Sequence, residues 1–208
     1  MELDQTTLFG MADEHNRLTT NSYKTAIGRK GPSSVAKAIV KGVVSGIFPR
    51  FDTVLDWGCG RGRDVLFYQE RGLDVDGYDV YAGFGRSKFP TRKYDLVTVI
   101  FVVNILPSLG ERLGVLRKAA SFVQPGGYLV VTARSPQTIA REVSAKKWPK
   151  YNDGYISHQG RGTFQKGIDA KELASMIVHL GFEVMPNNLE ISRDVSLVIG
   201  NRKEISST

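Results

Sequence analysis

The sequence predicts an α/β fold of three layers, in which helices cover both faces of a mostly parallel β-sheet. Short apolar strand patterns alternate with amphipathic helix patterns, a glycine-rich turn joins the first strand to a helix, and residues 96–103 form a nearly continuous apolar run. Such a run is typical of a strand buried on both faces of a parallel sheet. The alternation of strands and helices predicts the layered architecture.

The first helix pattern lies within residues 22–46. Val35, Ile39 and Val43 recur at four-residue spacing after a Gly-Pro-Ser-Ser sequence. Because serine is a favoured N-cap residue, either Ser33 or Ser34 is expected to begin this helix.

The next three elements form a strand, a helix and a second strand. Residues 53–57 are rich in β-forming side chains, residues 63–71 have a helical pattern that Gly72 can terminate, and residues 73–80 alternate as a strand does. The apolar run at residues 96–103 follows as the predicted centre of the sheet.

The second half of the chain predicts two capped helices and three strands. The helices begin at a capping box, Ser108 to Glu111, and at Asp169. The strands are predicted at residues 128–132, 182–185 and 195–199, and the last is expected to run antiparallel. Residues 133–166 are polar and aperiodic, and are interpreted as an inserted active-site loop.

Composition and charge narrow the classes of function. With 208 residues, of which 41% are hydrophobic, the chain is expected to form one domain, with residues 1–21 and 203–208 loosely ordered. The apolar run is too short to span a bilayer, and the N-terminus does not resemble a signal peptide. The single cysteine, Cys59, excludes an intrachain disulfide and a cysteine-rich metal module, so a cytoplasmic location is expected. The net charge of +7 favours an anionic partner.

The most informative motif is Asp-x-Gly-x-Gly-x-Gly, formed by Asp56, Gly58, Gly60 and Gly62. Alternate glycines after a strand allow the backbone to pass close to a ligand at a helix N-terminus. The dinucleotide pattern requires a glycine where Arg63 stands, and the lysine of a phosphate-binding P-loop is missing.

Two carboxylates indicate the ligand. Asp56 disfavours a pyrophosphate, because it adds negative charge beside the loop, but it suits a ligand that carries a cation. S-adenosylmethionine carries an ammonium and a sulfonium group. Asp79 follows the second strand, where an acidic residue can accept hydrogen bonds from both hydroxyls of a ribose.

With these motifs the sequence resembles the class I, Rossmann-like S-adenosylmethionine-dependent methyltransferases, small bacterial and phage members in particular. The resemblance extends from residue 53 to residue 199. It rests on the glycine loop, the strand end at Asp79, residues 94–107 and the Gln-Pro-Gly-Gly turn at residues 124–127. It implies that residues 22–46 form a helix that covers substrate and cofactor. The residues it implies for cofactor binding are Asp56, Gly58, Cys59, Gly60, Gly62, Asp79, Val80, Phe101 and Asn104.

The chain departs from the family pattern after Asp79. Only 14 residues, 80–93, separate Asp79 from the next strand, which is too few for the helix, strand and helix usual in the family. We therefore expect that the family's third strand is missing and that the basic loop at residues 85–92 contributes contacts to adenine.

The sequence identifies the catalytic groups less sharply than the cofactor site. Asn104 ends the central strand and His158 lies in the predicted loop, so each is a candidate to orient the nucleophile or relieve it of a proton. The motif at residues 104–107 lacks the Pro-Pro-aromatic pattern of amino-directed DNA methyltransferases, and Cys59 lacks the preceding proline of cytosine-C5 enzymes. The expected reaction is therefore a direct in-line displacement.

The acceptor is predicted only by class. Loose similarities to small bacterial and phage methyltransferases suggest a substrate pocket formed by Thr25, Arg29, Lys30, Tyr155, Thr163 and Gln165. The positive charge favours a nucleic acid or nucleotide as acceptor. A small metabolite, a protein acceptor, or a module that binds S-adenosylmethionine without catalysis remain alternatives.

Overall fold

A computed structural model describes residues 5–26 and 28–203 of the protein, with side chains from residue 12 onward. Residues 1–4 and 204–208, which were expected to be loosely ordered, lie outside the described residues. Among the helices that are described, none is long and apolar enough to cross a membrane.

Helices and strands follow one another along the chain. The helices are α1 (Gln5–Thr20), α2 (Ser34–Val44), α3 (Arg63–Gln69), α4 (Leu109–Ala120), α5 (Pro136–Lys146) and α6 (Ala170–His179). The strands are β1 (Thr53–Trp57), β2 (Asp74–Tyr78), β3 (Tyr94–Ile100), β4 (Val123–Arg134), β5 (Lys150–Tyr151), β6 (Gly154–His158), β7 (Thr163–Gln165), β8 (Glu183–Met185) and β9 (Val195–Asn201). Short 3-10 helices occupy Ser22–Thr25, Ala82–Phe84 and Val103–Ile105.

The main sheet has six strands in the order β2-β1-β3-β4-β9-β8. Strands β1 to β4 pair in parallel, and β9 pairs antiparallel with both β4 and β8. This arrangement confirms the predicted α/β fold with a mostly parallel sheet and an antiparallel last strand.

The missing third strand is also confirmed. The chain between β2 and β3 forms the short 3-10 helix Ala82–Phe84, and β2 is the edge of the sheet. Arg92 covers this edge by bonding to the carboxylates of Asp74 and Asp76. Among the described strands, none therefore pairs with the outer side of β2.

Two apolar layers pack against the sheet. Leu55, Val97 and Leu129 face one layer, which includes Leu116 of α4 and Ile177 of α6. The other layer includes Val54, Leu96 and Val130 with residues of α2 and α3. Because neighbouring residues of a strand point to opposite faces, Val54 and Leu55 divide between the two layers as the prediction requires.

The predicted helix caps are confirmed. Ser33, rather than Ser34, caps α2, since its side chain accepts a hydrogen bond of 3.0 Å from the Ala36 amide. Ser108 and Glu111 form the reciprocal capping box of α4, and Asp169 caps α6 through the amide of Glu172. These caps satisfy amides that would otherwise lack partners at the first turn.

Two predictions about order were wrong. The N-terminal stretch expected to be loosely ordered forms α1 from residue 5 onward, and residues 133–166 form α5 and a second sheet, β5-β6-β7, rather than a loop. Ser135 caps α5 with Pro136 in its first turn, a start signal that the sparse apolar pattern obscured. Leu18, Ile156 and Phe164 bury one another between α1 and this second sheet, which we call the cap sheet.

Candidate active site

One large cavity, of about 1250 Å³, lies at the carboxyl ends of the parallel strands. Its walls come from the loops after β1, β2 and β3, from the end of β4, and from α4, α5, the cap sheet and the segment around Ser22–Thr25. Open α/β sheets bind ligands at this edge, because the loops that leave the strands diverge there.

The glycine loop forms part of the cavity wall. Gly58 and Gly60 line the cavity with φ of +78° and +53°, a region that favours glycine. The amides of Gly58 and Cys59 donate to the Tyr78 carbonyl at 2.7 and 3.1 Å, which fixes the loop against the end of β2. A Cβ atom on Gly60 would meet nothing within 4 Å. The space above Gly60 is therefore left open for a ligand.

Asp79 lies where the sequence predicted an acid for a ribose. Its carboxylate accepts hydrogen bonds from the Gly60 amide at 2.8 Å and from the Tyr81 amide at 2.9 Å, and it lines the cavity. Each carboxylate oxygen can accept a second hydrogen bond. Asp79 thus stabilises the glycine loop and keeps acceptor capacity for two hydroxyl groups.

Asp56 does not line the cavity, which contradicts its predicted contact with the cofactor. It shares a strand face with Val54 and is buried on the side of α2 and α3, where it accepts a hydrogen bond from Thr98 at 2.9 Å. Burial, with the nearby charge of Asp64, raises the pKa of Asp56 to about 7. Asp56 therefore supports the loop from beneath.

The segment before α2 forms the cover, and α2 itself does not. Asp64, buried at the start of α3, accepts a hydrogen bond of 2.6 Å from the Ser33 amide and pairs with Arg29 at 3.3 Å. Arg29 and the 3-10 helix Ser22–Thr25 line the cavity, whereas α2 packs against the sheet. The prediction that a helix within residues 22–46 covers the site was therefore wrong, because the cover is the shorter segment that contains Ser22–Thr25 and Arg29.

The end of β3 carries local strain. Phe101 has a φ of +58°, which is rare for a residue other than glycine, and its amide bonds to the carbonyl and hydroxyl oxygens of Thr132. Strained residues of this kind concentrate at functional sites. Here the strain turns Phe101 and Val102 into the cavity wall beside Gly58.

Asn104 is held by the cap sheet. Its side-chain NH₂ group donates to Gln165 at 2.9 Å, and its backbone carbonyl accepts from the Lys166 amide at 2.8 Å. The Oδ1 atom of Asn104 is buried without a hydrogen-bond partner among the described residues. Asn104, Thr163 and Gln165 all line the cavity, so the structure brings these predicted residues together.

His158 lines the cavity but is poorly placed as a base. Its Nδ1 atom accepts a hydrogen bond of 3.2 Å from the Arg161 amide. A neutral imidazole whose Nδ1 accepts holds its proton on Nε2. His158 therefore offers the cavity a hydrogen-bond donor in this arrangement, which argues against the predicted role of proton acceptor.

Charged side chains fasten the cap sheet to the core. Arg112 of α4 is fully buried, donates to the Leu106 carbonyl at 3.1 Å and pairs with Asp153 in the turn between β5 and β6. Lys166 also bonds to Asp153, at 2.9 Å. Because Lys166 follows Gln165, the same network places the residues that hold Asn104.

Aromatic side chains border the region that the third strand would occupy. The rings of Tyr23 and Tyr81 stack at a centroid distance of 3.7 Å and an angle of 6°, and the edge of Phe84 approaches Tyr81. All three line the cavity. Tyr81 follows Asp79 by two residues, whereas nothing in the sequence pairs it with Tyr23.

Further residues of the cavity wall escaped the sequence reasoning. Arg134 ends β4, Glu142 and Lys146 lie on α5, and Trp148 follows that helix. The signal that could have found Arg134 is its position at the carboxyl end of a strand. All four residues lie within residues 133–166, the segment interpreted as a loop.

Most of the predicted site residues meet in this cavity. Those that line it are Gly58, Cys59, Gly60, Asp79, Val80, Phe101, Asn104, Thr25, Arg29, His158, Thr163 and Gln165. Four do not: Asp56, which is buried beneath the loop, Gly62, which is the N-cap of α3, Lys30 and Tyr155. Lys30 follows Arg29 as the chain leaves the wall, and Tyr155 lies against Lys150 on the cap sheet.

A family model described as a methyltransferase domain matches residues 29–187. The chain belongs to this family. The matched span contains the glycine loop, Asp79, Phe101, Asn104 and the whole of the cap sheet.

Solved structures agree with this assignment at the level of the fold. A sugar N-methyltransferase from Streptoalloteichus is 16% identical, with a TM-score of 0.61, over 84% of this chain and 89% of that one. A methyltransferase from Methanosarcina mazei is 15% identical, with a TM-score of 0.59, over 78% of this chain and 98% of that one.

A third similar structure contains S-adenosylhomocysteine, which S-adenosylmethionine becomes when it gives up its methyl group. The 1,6-didemethyltoxoflavin-N1-methyltransferase of Burkholderia thailandensis, with S-adenosylhomocysteine and its acceptor bound, is 12% identical, with a TM-score of 0.59, over 98% of this chain and 93% of that one. A comparison with curated proteins finds no match. The predicted resemblance to class I methyltransferases is confirmed, and S-adenosylmethionine is the cofactor that it implies.

Proposed function

We propose that this protein transfers the methyl group of S-adenosylmethionine to a small acceptor inside the cavity. The observation that carries the proposal is the joint placement of the open glycine loop and Asp79 on one wall. The strained strand end at Phe101 and the amide of Asn104 lie on the wall of the same cavity.

The residues present fit the cofactor. Gly60 leaves room for a ligand close to the backbone, Asp79 can accept from the two ribose hydroxyls, and Val80 and Tyr81 provide a surface for adenine. Arg29 and Arg63, which also line the cavity, provide positive charge for the methionine carboxylate. The volume exceeds the roughly 300–1,000 Å³ of a typical ligand pocket, so a second molecule can share it.

The chain itself has to position an acceptor and exclude water. When bound, S-adenosylmethionine supplies a methyl group already activated by its sulfonium. The apolar side chains of Phe101 and Val102 shield that end of the cavity, while Asn104, held by Gln165, fixes the turn after β3 against which the acceptor lies. His158 can donate a hydrogen bond to the acceptor.

The charge of the cavity wall supports an anionic acceptor. Three of the lining residues are acidic, Asp79, Glu111 and Glu142. The basic ones are Lys24, Arg29, Arg61, Arg63, Lys118, Arg134, Lys146 and Arg161. This excess concentrates much of the chain's +7 charge at the site, which favours a nucleotide or another small anion. The similar proteins that act on a sugar and on a toxoflavin precursor favour a small acceptor over a polymer.

A matched pair of glycine variants tests the cofactor site. Gly60 and Gly72 both have positive φ, and a Cβ on either would meet nothing within 4 Å, but only Gly60 lines the cavity. We expect Gly60→Ala to weaken S-adenosylhomocysteine binding at least ten-fold by calorimetry. Gly72→Ala should bind as the wild type does, because it bears the same backbone strain elsewhere. Equal affinities in the two variants, or no binding by the wild type, would contradict the proposal.

A further inference from the structure

The wall of the cavity formed by the end of β4 and by α5 carries a second cluster of charge. Arg134 pairs with Glu142 at 3.5 Å, and Lys146 bonds to the other oxygen of the same carboxylate. We call Arg134, Lys146 and Trp148 the β4-α5 wall. Its two cations share one carboxylate, so the wall keeps a net positive charge.

Arg161 adds to this charge. It lies in the turn between β6 and β7, lines the same cavity, and has no ion pair among the described residues. Together with the β4-α5 wall, Arg161 contributes three cations against one carboxylate to the cavity lining, which favours the binding of an anion. An arginine at such a position can bind a phosphate or carboxylate through two parallel hydrogen bonds.

Trp148 places a flat aromatic ring beside this charge. Lys147, with a φ of +53°, ends α5 and turns the chain, and the Pro149 carbonyl accepts a hydrogen bond of 3.0 Å from Ile156 of the cap sheet. Trp148 is thus held between two fixed points, half-buried, with the Lys146 ammonium 5.6 Å from its ring centroid. A fixed, partly exposed indole is a surface on which planar rings stack.

From this arrangement we propose that the β4-α5 wall is the recognition site for the acceptor, and that the acceptor carries an anionic group next to a planar ring. Arg134 and Lys146 bind the anion, and Trp148 stacks on the ring. The inference rests on the proposed function, since it names the second occupant of that cavity. A nucleoside monophosphate has this chemistry.

Calorimetry on protein saturated with S-adenosylhomocysteine tests this inference. The probes are the four nucleoside monophosphates, the matching nucleosides, and a single-stranded oligonucleotide. We expect at least one monophosphate to bind, and its nucleoside to bind at least ten-fold more weakly. Arg134→Gln should weaken the binding of that monophosphate about ten- to a hundred-fold, which is the usual effect of losing a hydrogen bond to a charged group. Arg141→Gln, on α5 but outside the cavity, is the matched control and should change affinity less than two-fold.

Several results would overturn the inference: no monophosphate binds, nucleoside and monophosphate bind equally, or Arg134→Gln behaves as Arg141→Gln does. Tighter binding of the oligonucleotide than of every monophosphate would replace it with a polymer acceptor. Binding of S-adenosylhomocysteine by each variant is measured separately. Failure there by the wild type would overturn the proposed function, whereas an unchanged cofactor affinity in Arg134→Gln confines any loss to the acceptor.

Discussion

Replacing Asp153 by asparagine tests whether buried charge fastens the cap sheet to the core. Arg112 is 1% exposed in its side chain, and Asp153 is its carboxylate partner. The substitution leaves the guanidinium buried without a counter-charge and leaves Lys166 beside it, with Glu172 as its remaining carboxylate. Removing one partner of a buried pair usually costs about 3–5 kcal/mol of unfolding free energy.

The magnitude must be reduced for solvent, because Asp153 is 44% exposed. Water can approach the carboxylate side of the pair and screen part of the charge. We therefore expect a loss of about 2–4 kcal/mol, which for a chain of this size lowers Tm by roughly 4–16 °C. Amide exchange should rise first in β5, β6 and β7, since these strands are the ones released.

The assay is thermal and urea unfolding followed by circular dichroism. Glu190→Gln is the matched control, because its pair with Lys41 is exposed on both sides and should contribute little to stability. A loss in Asp153→Asn no larger than in Glu190→Gln would refute the reasoning. So would faster exchange spread evenly over the main sheet.

Two further predictions concern the cofactor side of the cavity. The folded protein keeps the proton of Asp56 up to about pH 7, whereas an ordinary aspartate loses its proton near pH 4. The contribution of Asp56 to stability is therefore complete below pH 4 and is lost as the pH rises to 7. In the wild type we expect the unfolding free energy to fall by about 4 kcal/mol between pH 4 and 8 because of Asp56, and in Asp56→Asn this fall should be absent. Parallel plots of unfolding free energy against pH for variant and wild type would contradict this. Tyr23→Ala should raise the affinity for S-adenosylhomocysteine about 2- to 12-fold. In the wild type adenine has to displace the ring of Tyr23 from the face of Tyr81, which costs about 0.5–1.5 kcal/mol, and the variant removes that cost. Tyr23→Phe keeps the stack and should leave affinity unchanged, while weaker binding by Tyr23→Ala would make Tyr23 part of the binding surface.

The main sheet was predictable because its signals are local. The apolar run of β3, the glycine turn after β1 and the caps Ser108 and Asp169 each act within a few residues. The short span between β2 and β3 excluded another strand by length alone.

The cap sheet was not predictable because its stability is not local. Strands β5 and β7 have two and three residues, and their position depends on Arg112, Asp153 and Lys166, which are far apart in sequence. Helix α5 buries only Thr138 and Ile139, so its apolar pattern is weak.

The wall of the candidate site was predicted in part. Glycine spacing located Gly58 and Gly60, and position after a strand located Asp79 and Asn104. The charge argument for Asp56 was wrong because it neglected which face of β1 the side chain occupies. The pairing of Tyr23 with Tyr81 depends on tertiary contact and has no sequence signal.

Methyl transfer itself tests the central claim most directly. The purified protein is incubated with methyl-labelled S-adenosylmethionine and the nucleoside monophosphates, alongside the Gly60→Ala and Gly72→Ala variants. The account predicts label in a small anionic product with wild type and Gly72→Ala, and a large loss with Gly60→Ala. Tight cofactor binding without label in any acceptor, including a pool of cell extract, would contradict it and leave a module that binds S-adenosylmethionine without catalysis.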